Sequence, residues 1–204
     1  MFVRGSDRKH APPRVRGLGS ICAGNGWGGF CAISSGYRLI DTAKAYRNEV
    51  QVGEGLRDSG QDRSELFITT KLIMNNYGYD SALRAFDESL QKLGLEYLDL
   101  YLLHWPTRSW DATVQSWKAL ERLLAEGRVK SIGVCNFLED HIDKLMSETS
   151  VVPSVNQIEI HPYFTQKVLI AKNKSLGIVT QGWSPIGGLK TTVTGMPTAG
   201  KETH

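Results

Sequence analysis

The stretch GYRLIDTAKAYRNE, residues 36–49, decides how the fold is read. After Gly36 comes a short apolar run that ends on an aspartate, Asp41, and a tyrosine, Tyr46, follows it. A brief apolar run opening on glycine has the length and composition of a buried strand. A helix is predicted next through Val50, Val52 and Leu56, ending near Gly60. Neither Asp41 nor Tyr46 serves a core at that point, so the rest of the chain must explain them.

The same strand-then-helix unit recurs downstream. ELFITTKL (65–72), YLDLYLLH (97–104), VKSIGVCN (129–136), SVNQIEI (154–160) and GIVTQGWS (177–184) read as strands. Between them, helices are predicted over Asp80–Leu93, with Asp80 as N-cap and Gly94 as stop, and over Asp111–Ala125, ending at Gly127. Two more are predicted over Leu138–Ser147 and Gln166–Lys174. The strands are apolar nearly throughout, as parallel strands covered on both faces must be. An open doubly wound sheet would call for a GxGxxG between a strand and a helix, and neither GLGS nor GNGWGG stands in that context. Polar or aromatic residues instead recur at the strand ends: Asp41, Lys71, His104, Asn136, Gln157 and Trp183. In a (β/α)8 TIM barrel those ends meet around one mouth, so the α/β barrel is the expected fold.

Composition narrows the setting. The chain has 204 residues, 41% of them hydrophobic, enough for one domain with a sizeable core. A net charge of +3 is too mild to demand nucleic acid, and the early basic residues Arg4, Arg8, Lys9, Arg14 and Arg16 read as a solvated arm. No apolar run is long enough for a bilayer and no signal-peptide core follows the first methionine, so no membrane partner is expected. Cys22, Cys31 and Cys135 form no CxxC pair and leave an odd count, which fits a reduced, cytoplasmic protein. No metal site is expected. Residues 1–35 show no sustained helical or alternating pattern.

Each residue of the mouth has an ordinary reading by itself. Asp41 could cap a helix, Lys71 could snorkel, His104 could be a core histidine and Tyr46 a half-buried helix residue. Together they make sense as acid catalysis. Tyrosine is a poor proton donor, with a pKa of about 10, and a lysine ammonium beside it favours the tyrosinate. A carboxylate would fix and charge-balance that lysine, and a histidine could orient a substrate oxygen. Such a set suits protonation of a carbonyl oxygen as hydride reaches its carbon, and hydride must come from a cofactor.

These motifs resemble the aldo-keto reductases. GYRLIDTAKAYRNEVQVG (36–53) looks like that family's first signature, and TTKL (69–72) and LLHWP (102–106) like its lysine and histidine strands. EGRVKSIGVCNF (126–137) looks like the second signature, with Cys135 where serine is more usual, and VNQIEIHP (155–162) and WSPIGG (183–188) also match. The resemblance implies that Tyr46 is the general acid, Lys71 its partner, Asp41 the ion pair of the lysine and His104 the substrate-orienting residue. It implies that Asn136 and Gln157 bond the nicotinamide carboxamide, that the ring stacks on Trp183, and that Ser184 and the backbone near Ile186 meet the pyrophosphate. The implied cofactor is NADPH, the implied partner a small aldehyde or ketone, and the protein is expected to be a monomer. Ile73, where the family often carries tryptophan, with Trp105 and Trp110, would line the substrate pocket; ordinary packing is an equal reading for Trp110. In broad pattern the chain is similar to the short-loop reductases, which include some prostaglandin F synthases.

Two departures stand out. After WSPIGG the chain carries LKTTVTGMPTAGKETH, with no IPKS-like segment for an adenosine 2′-phosphate. The barrel is therefore expected to be incomplete, lacking its eighth strand and last helices, with an atypical first strand and residues 36–188 as the barrel proper. Residues 1–30 and 189–204 are expected to come partly from a shifted reading frame or gene boundary; a transcript encoding both ends as written would refute that. A non-catalytic NADP(H)-binding regulatory protein on the same fold, as in potassium-channel β subunits, and an inactive incomplete reductase stay open as alternatives.

Overall fold

The computed structural model describes residues 21–22 and 26–186. The basic arm and the 189–204 tail lie outside those residues. The elements run β1 (Ile21–Cys22), α1 (Gly26–Ser34), β2 (Leu39–Asp41), α2 (Glu49–Asp58), β3 (Phe67–Leu72), α3 (Tyr79–Leu93) and β4 (Leu100–Leu103). Then follow α4 (Trp110–Ala125), β5 (Ile132–Cys135), α5 (Glu139–Glu148), β6 (Val155–Glu159), α6 (Lys167–Ser175) and β7 (Val179–Trp183).

The seven strands form one sheet in chain order, every neighbouring pair parallel. The sheet is strongly curved, and one bond proves it. Gln157 of β6 donates from Nε2 to Asp41 Oδ2 of β2 across 2.8 Å. In a flat sheet four strand spacings of about 4.8 Å would hold those strands about 19 Å apart. The strands therefore wrap as a barrel wall does, and their inward side chains meet across its interior.

Alternation along the strands builds two cores. On β4, Leu100 and Leu102 face the inner cluster with Phe67, Cys135 and Val155. Tyr101 and Leu103 face the outer one, among Ile40, Ile68, Phe86, Trp117, Leu120 and Val134 under the helices. On β3, β4 and β5 both faces are buried, which is why those strands are read as covered on both sides, whereas β7 is exposed or half-buried along its length. Gly53 sets the spacing of the helix layer: a Cβ there would stand 2.5 Å from the Leu93 carbonyl oxygen, so α2 and α3 touch backbone to backbone.

Two sequence expectations need correction. The segment read as patternless contains α1, whose Ala32 and Ile33 are buried. Its seat on α2 is made by small residues, with a Cβ on Gly29 reaching to 3.9 Å of the Gly55 Cα. Glycines weaken helix propensity and leave no periodic stripe, so packing rather than pattern sustains the helix. At α3 the N-cap is Gly78, with φ 121°, and Asp80 lies in the first turn. The Gly78 N–H is met by Ser116 Oγ at 2.8 Å, a partner supplied by α4 that no local pattern announces. Gly94 ends α3 in the left-handed conformation, as expected. Among the described residues, no helix is long and apolar enough to cross a membrane.

Candidate active site

Asp41 is the last residue of β2 and pairs in register with Thr69 of β3. Lys71, two residues further on, points to the same face. Its Nζ bonds Asp41 Oδ1 and donates to the Thr42 carbonyl at 3.0 Å. Both side chains are buried. Burial is the largest single influence and opposes the ammonium, but the Asp41 charge, Tyr46, the hydrogen bond to Asp41 and Cys135 together hold the Lys71 pKa above the ordinary lysine value. The aspartate that ends β2 is thus an ion-pair partner and not a helix cap.

Tyr46 closes a single 3-10 turn, Lys44–Tyr46, and the residue is 41% exposed. Lys71 Nζ lies 5.1 Å from the ring centre. His104 follows β4 and is buried; desolvation first, and the Lys71 charge second, lower its pKa to about 4. The imidazole is neutral near pH 7, so it can donate or accept a hydrogen bond but holds no proton to give away. Tyr46 and His104 are therefore brought together with Lys71 and Asp41.

The other wall carries amides and an indole. Asn136, just past β5, has φ 63°, a left-handed conformation that asparagine tolerates better than most residues. Its Oδ1 accepts the Trp183 indole N–H at 2.9 Å, and its Nδ2 donates to the His104 carbonyl at 3.2 Å and to Cys135 Sγ at 3.1 Å. Gln157 lies within β6 rather than at its end, and its amide reaches Asp41. Burial pushes the Cys135 thiol up to about 12, which keeps it protonated. Ser184, with φ 50°, follows Trp183, and Ile186 is 94% exposed at the same end of β7.

Of the expected pocket residues, Ile73 and Trp105 follow β3 and β4 and are half-buried. Trp110 goes elsewhere. Its indole N–H bonds Glu148 Oε1 at 2.9 Å, its ring stacks on His141 with centres 6.1 Å apart, and Lys144 lies over it at 4.8 Å. All three partners belong to α5, so Trp110 takes part in the packing of α4 on α5.

Sequence reasoning missed a supporting layer. The Tyr77 hydroxyl donates to the Trp105 carbonyl at 2.7 Å and so anchors the backbone after His104. Thr42 Oγ1 donates to Asn48 Oδ1 at 2.6 Å, and Thr70 Oγ1 to Glu49 Oε1 at 2.8 Å, tying the loop that carries Tyr46 to β3. The signal for the two threonine bonds was the density of polar residues in DTAKAYRNE beside a buried strand, and the Tyr77 bond had no local signal.

Comparison with known proteins agrees with this geometry. The family model described as "Aldo/keto reductase family" matches residues 31–204. Morphine 6-dehydrogenase of Pseudomonas putida is 69% identical over 157 residues, which are 77% of this chain and 53% of that protein. A crystal structure of an aldo/keto reductase from Brucella melitensis superposes with a TM-score of 0.81 at 44% identity, covering 83% of this chain and 66% of the other. A Bombyx mori aldo-keto reductase in complex with NADP superposes with a TM-score of 0.75 at 39% identity, covering 84% and 60%. The chain spans about half the length of the curated relatives it matches.

Proposed function

Because this chain belongs to the aldo/keto reductase family, we propose that it reduces an aldehyde or ketone to the alcohol with NADPH. The observation that carries this is the buried Asp41–Lys71 pair beside Tyr46, with a neutral His104 against the same tyrosine. Tyr46 gives its phenolic proton to the carbonyl oxygen. The Lys71 ammonium stabilises the tyrosinate that remains, and Asp41 keeps the ammonium charged and in place. His104 positions the substrate oxygen by a hydrogen bond from a neutral ring.

The donor set fits a nicotinamide cofactor. Two side-chain amides, Asn136 and Gln157, stand at one wall of the mouth beside the half-buried ring of Trp183, and a carboxamide is their natural complement. Asn136, Gln157, Trp183, Ser184 and the backbone near Ile186 would hold it, and when bound it supplies the hydride. Support for NADP(H) also comes from the Bombyx mori relative, whose structure contains NADP. Ile73 and Trp105 would wall the substrate side, and the contacts of Trp110 with α5 favour packing as its role.

The test is a tryptophan-fluorescence titration of the full chain with NADPH, followed by nitrobenzaldehyde turnover read as loss of NADPH absorbance. Saturable quenching with turnover is expected. Quenching without turnover would favour the non-catalytic regulatory reading, and the absence of both would overturn the assignment.

A further inference from the structure

Asp41 is only 2% exposed, and both of its carboxylate oxygens are engaged. Oδ1 takes Lys71 Nζ, and Oδ2 takes the Gln157 amide at 2.8 Å. From Gln157 the bonds continue to the opposite wall. Its Oε1 accepts the Cys135 thiol at 3.7 Å, Cys135 Sγ accepts from Asn136 Nδ2 at 3.1 Å, and Asn136 Oδ1 accepts from Trp183 at 2.9 Å. One hydrogen-bonded path thus joins Trp183 to Lys71 through five strands or strand ends. A primary amide has two N–H groups. Gln157 gives one to Asp41, and the other makes no hydrogen bond among the described residues.

We propose that Gln157 is a positioning residue for the proton donor, holding the Asp41 carboxylate that holds Lys71 beside Tyr46, while its second N–H serves the nicotinamide carboxamide. This inference rests on the reductase reading and deepens it, because one side chain then links cofactor docking to the strength of the acid. The residue type suits the task. A neutral amide donates to the buried carboxylate without adding charge to an already balanced pair. A glutamate in the same place would, at the alkaline pH where a tyrosine titrates, set a second carboxylate against the first. The other titratable groups facing Asp41, Lys71 and Tyr46 are His104 and Cys135, with Tyr77 and Glu49 in the layer behind.

The test reads Tyr46 directly in the full chain without cofactor or substrate. Tyrosinate absorbance is titrated with and without Tyr46→Phe, and the difference isolates Tyr46. Gln157→Met removes both N–H groups at similar volume, and Gln157→Glu keeps the shape. Circular dichroism selects the variants that fold. With its donor gone, Asp41 is less neutralised and less fixed, so tyrosinate is disfavoured. The Tyr46 midpoint should rise by about 0.5–1 pH unit in Gln157→Met and further in Gln157→Glu. NADPH affinity, read by fluorescence, should fall in both. An unmoved Tyr46 midpoint in either folded variant, even with weakened NADPH binding, would make Gln157 a cofactor ligand alone and overturn the inference. A wild type that turns over no aldehyde would sink the reductase reading and leave this titration standing.

Discussion

The Tyr46 ring stands edge-on to the His104 imidazole, with ring centres 5.8 Å apart and planes at 81°. The histidine therefore braces the tyrosine ring as well as facing the mouth. Tyr46→Phe keeps that ring contact and removes only the hydroxyl. We expect kcat to fall by about 100-fold or more with NADPH affinity nearly unchanged. Steady-state kinetics and fluorescence titration would check this, and retained turnover would remove Tyr46 from the role of acid.

His104→Ala should lower turnover more than cofactor affinity, and an equal loss of both would mark the histidine as purely structural. The same residue gives the fold a pH dependence. Its folded pKa is about 4 against an ordinary histidine value of 6.5, so the unfolded chain binds the extra proton first as pH falls. The stabilisation linked to neutral His104 is whole above 6.5 and is lost as pH falls toward 4, a difference on the order of 3 kcal/mol. Urea unfolding at pH 7 and pH 5 should show this slope in the wild type and a shallower one in His104→Ala.

Asp41→Asn removes one partner of a buried pair and leaves the Lys71 ammonium uncompensated. Such losses cost about 3–5 kcal/mol, so the urea midpoint at pH 7 should drop sharply. Because the Lys71 pKa is raised on folding, its ammonium stabilises the wild type fully below the ordinary value of 10.5, and that contribution fades as pH climbs through the folded value. The gap between wild type and variant should be widest near neutrality and narrow in strong alkali. A gap independent of pH would detach Lys71 from the effect.

Gly53→Ala would force its Cβ to within 2.5 Å of the Leu93 carbonyl oxygen. That obstacle is backbone and cannot rotate away. We expect a loss of about 1–3 kcal/mol despite the better helix propensity of alanine. A stabilised variant would show that α2 and α3 can separate freely.

The barrel wall was legible because a buried parallel strand has no choice of composition: FITTKL and LYLL can only be strands covered on both faces. The ends of the strands located Asp41, Lys71 and His104 for the same reason, since an ionisable group there has no core function. What escaped notice depends on partners distant in sequence. Helix α1 rests on the contour of α2, Trp110 on side chains of α5, and the Gly78 cap on a serine of α4. Gln157 was seen but its bond to Asp41 was not, because no spacing rule reaches across 116 residues.

Synthesis on a ribosome gives that separation a temporal meaning. Lys71 emerges 30 residues after Asp41, whereas Gln157 emerges 116 residues after it. At about 5–20 residues per second, several seconds divide the two events. Until Gln157 has been made, the second carboxylate oxygen of Asp41 lacks the partner it has in the finished fold. The sixth strand is therefore the one whose synthesis completes the polar contacts of the Asp41 carboxylate.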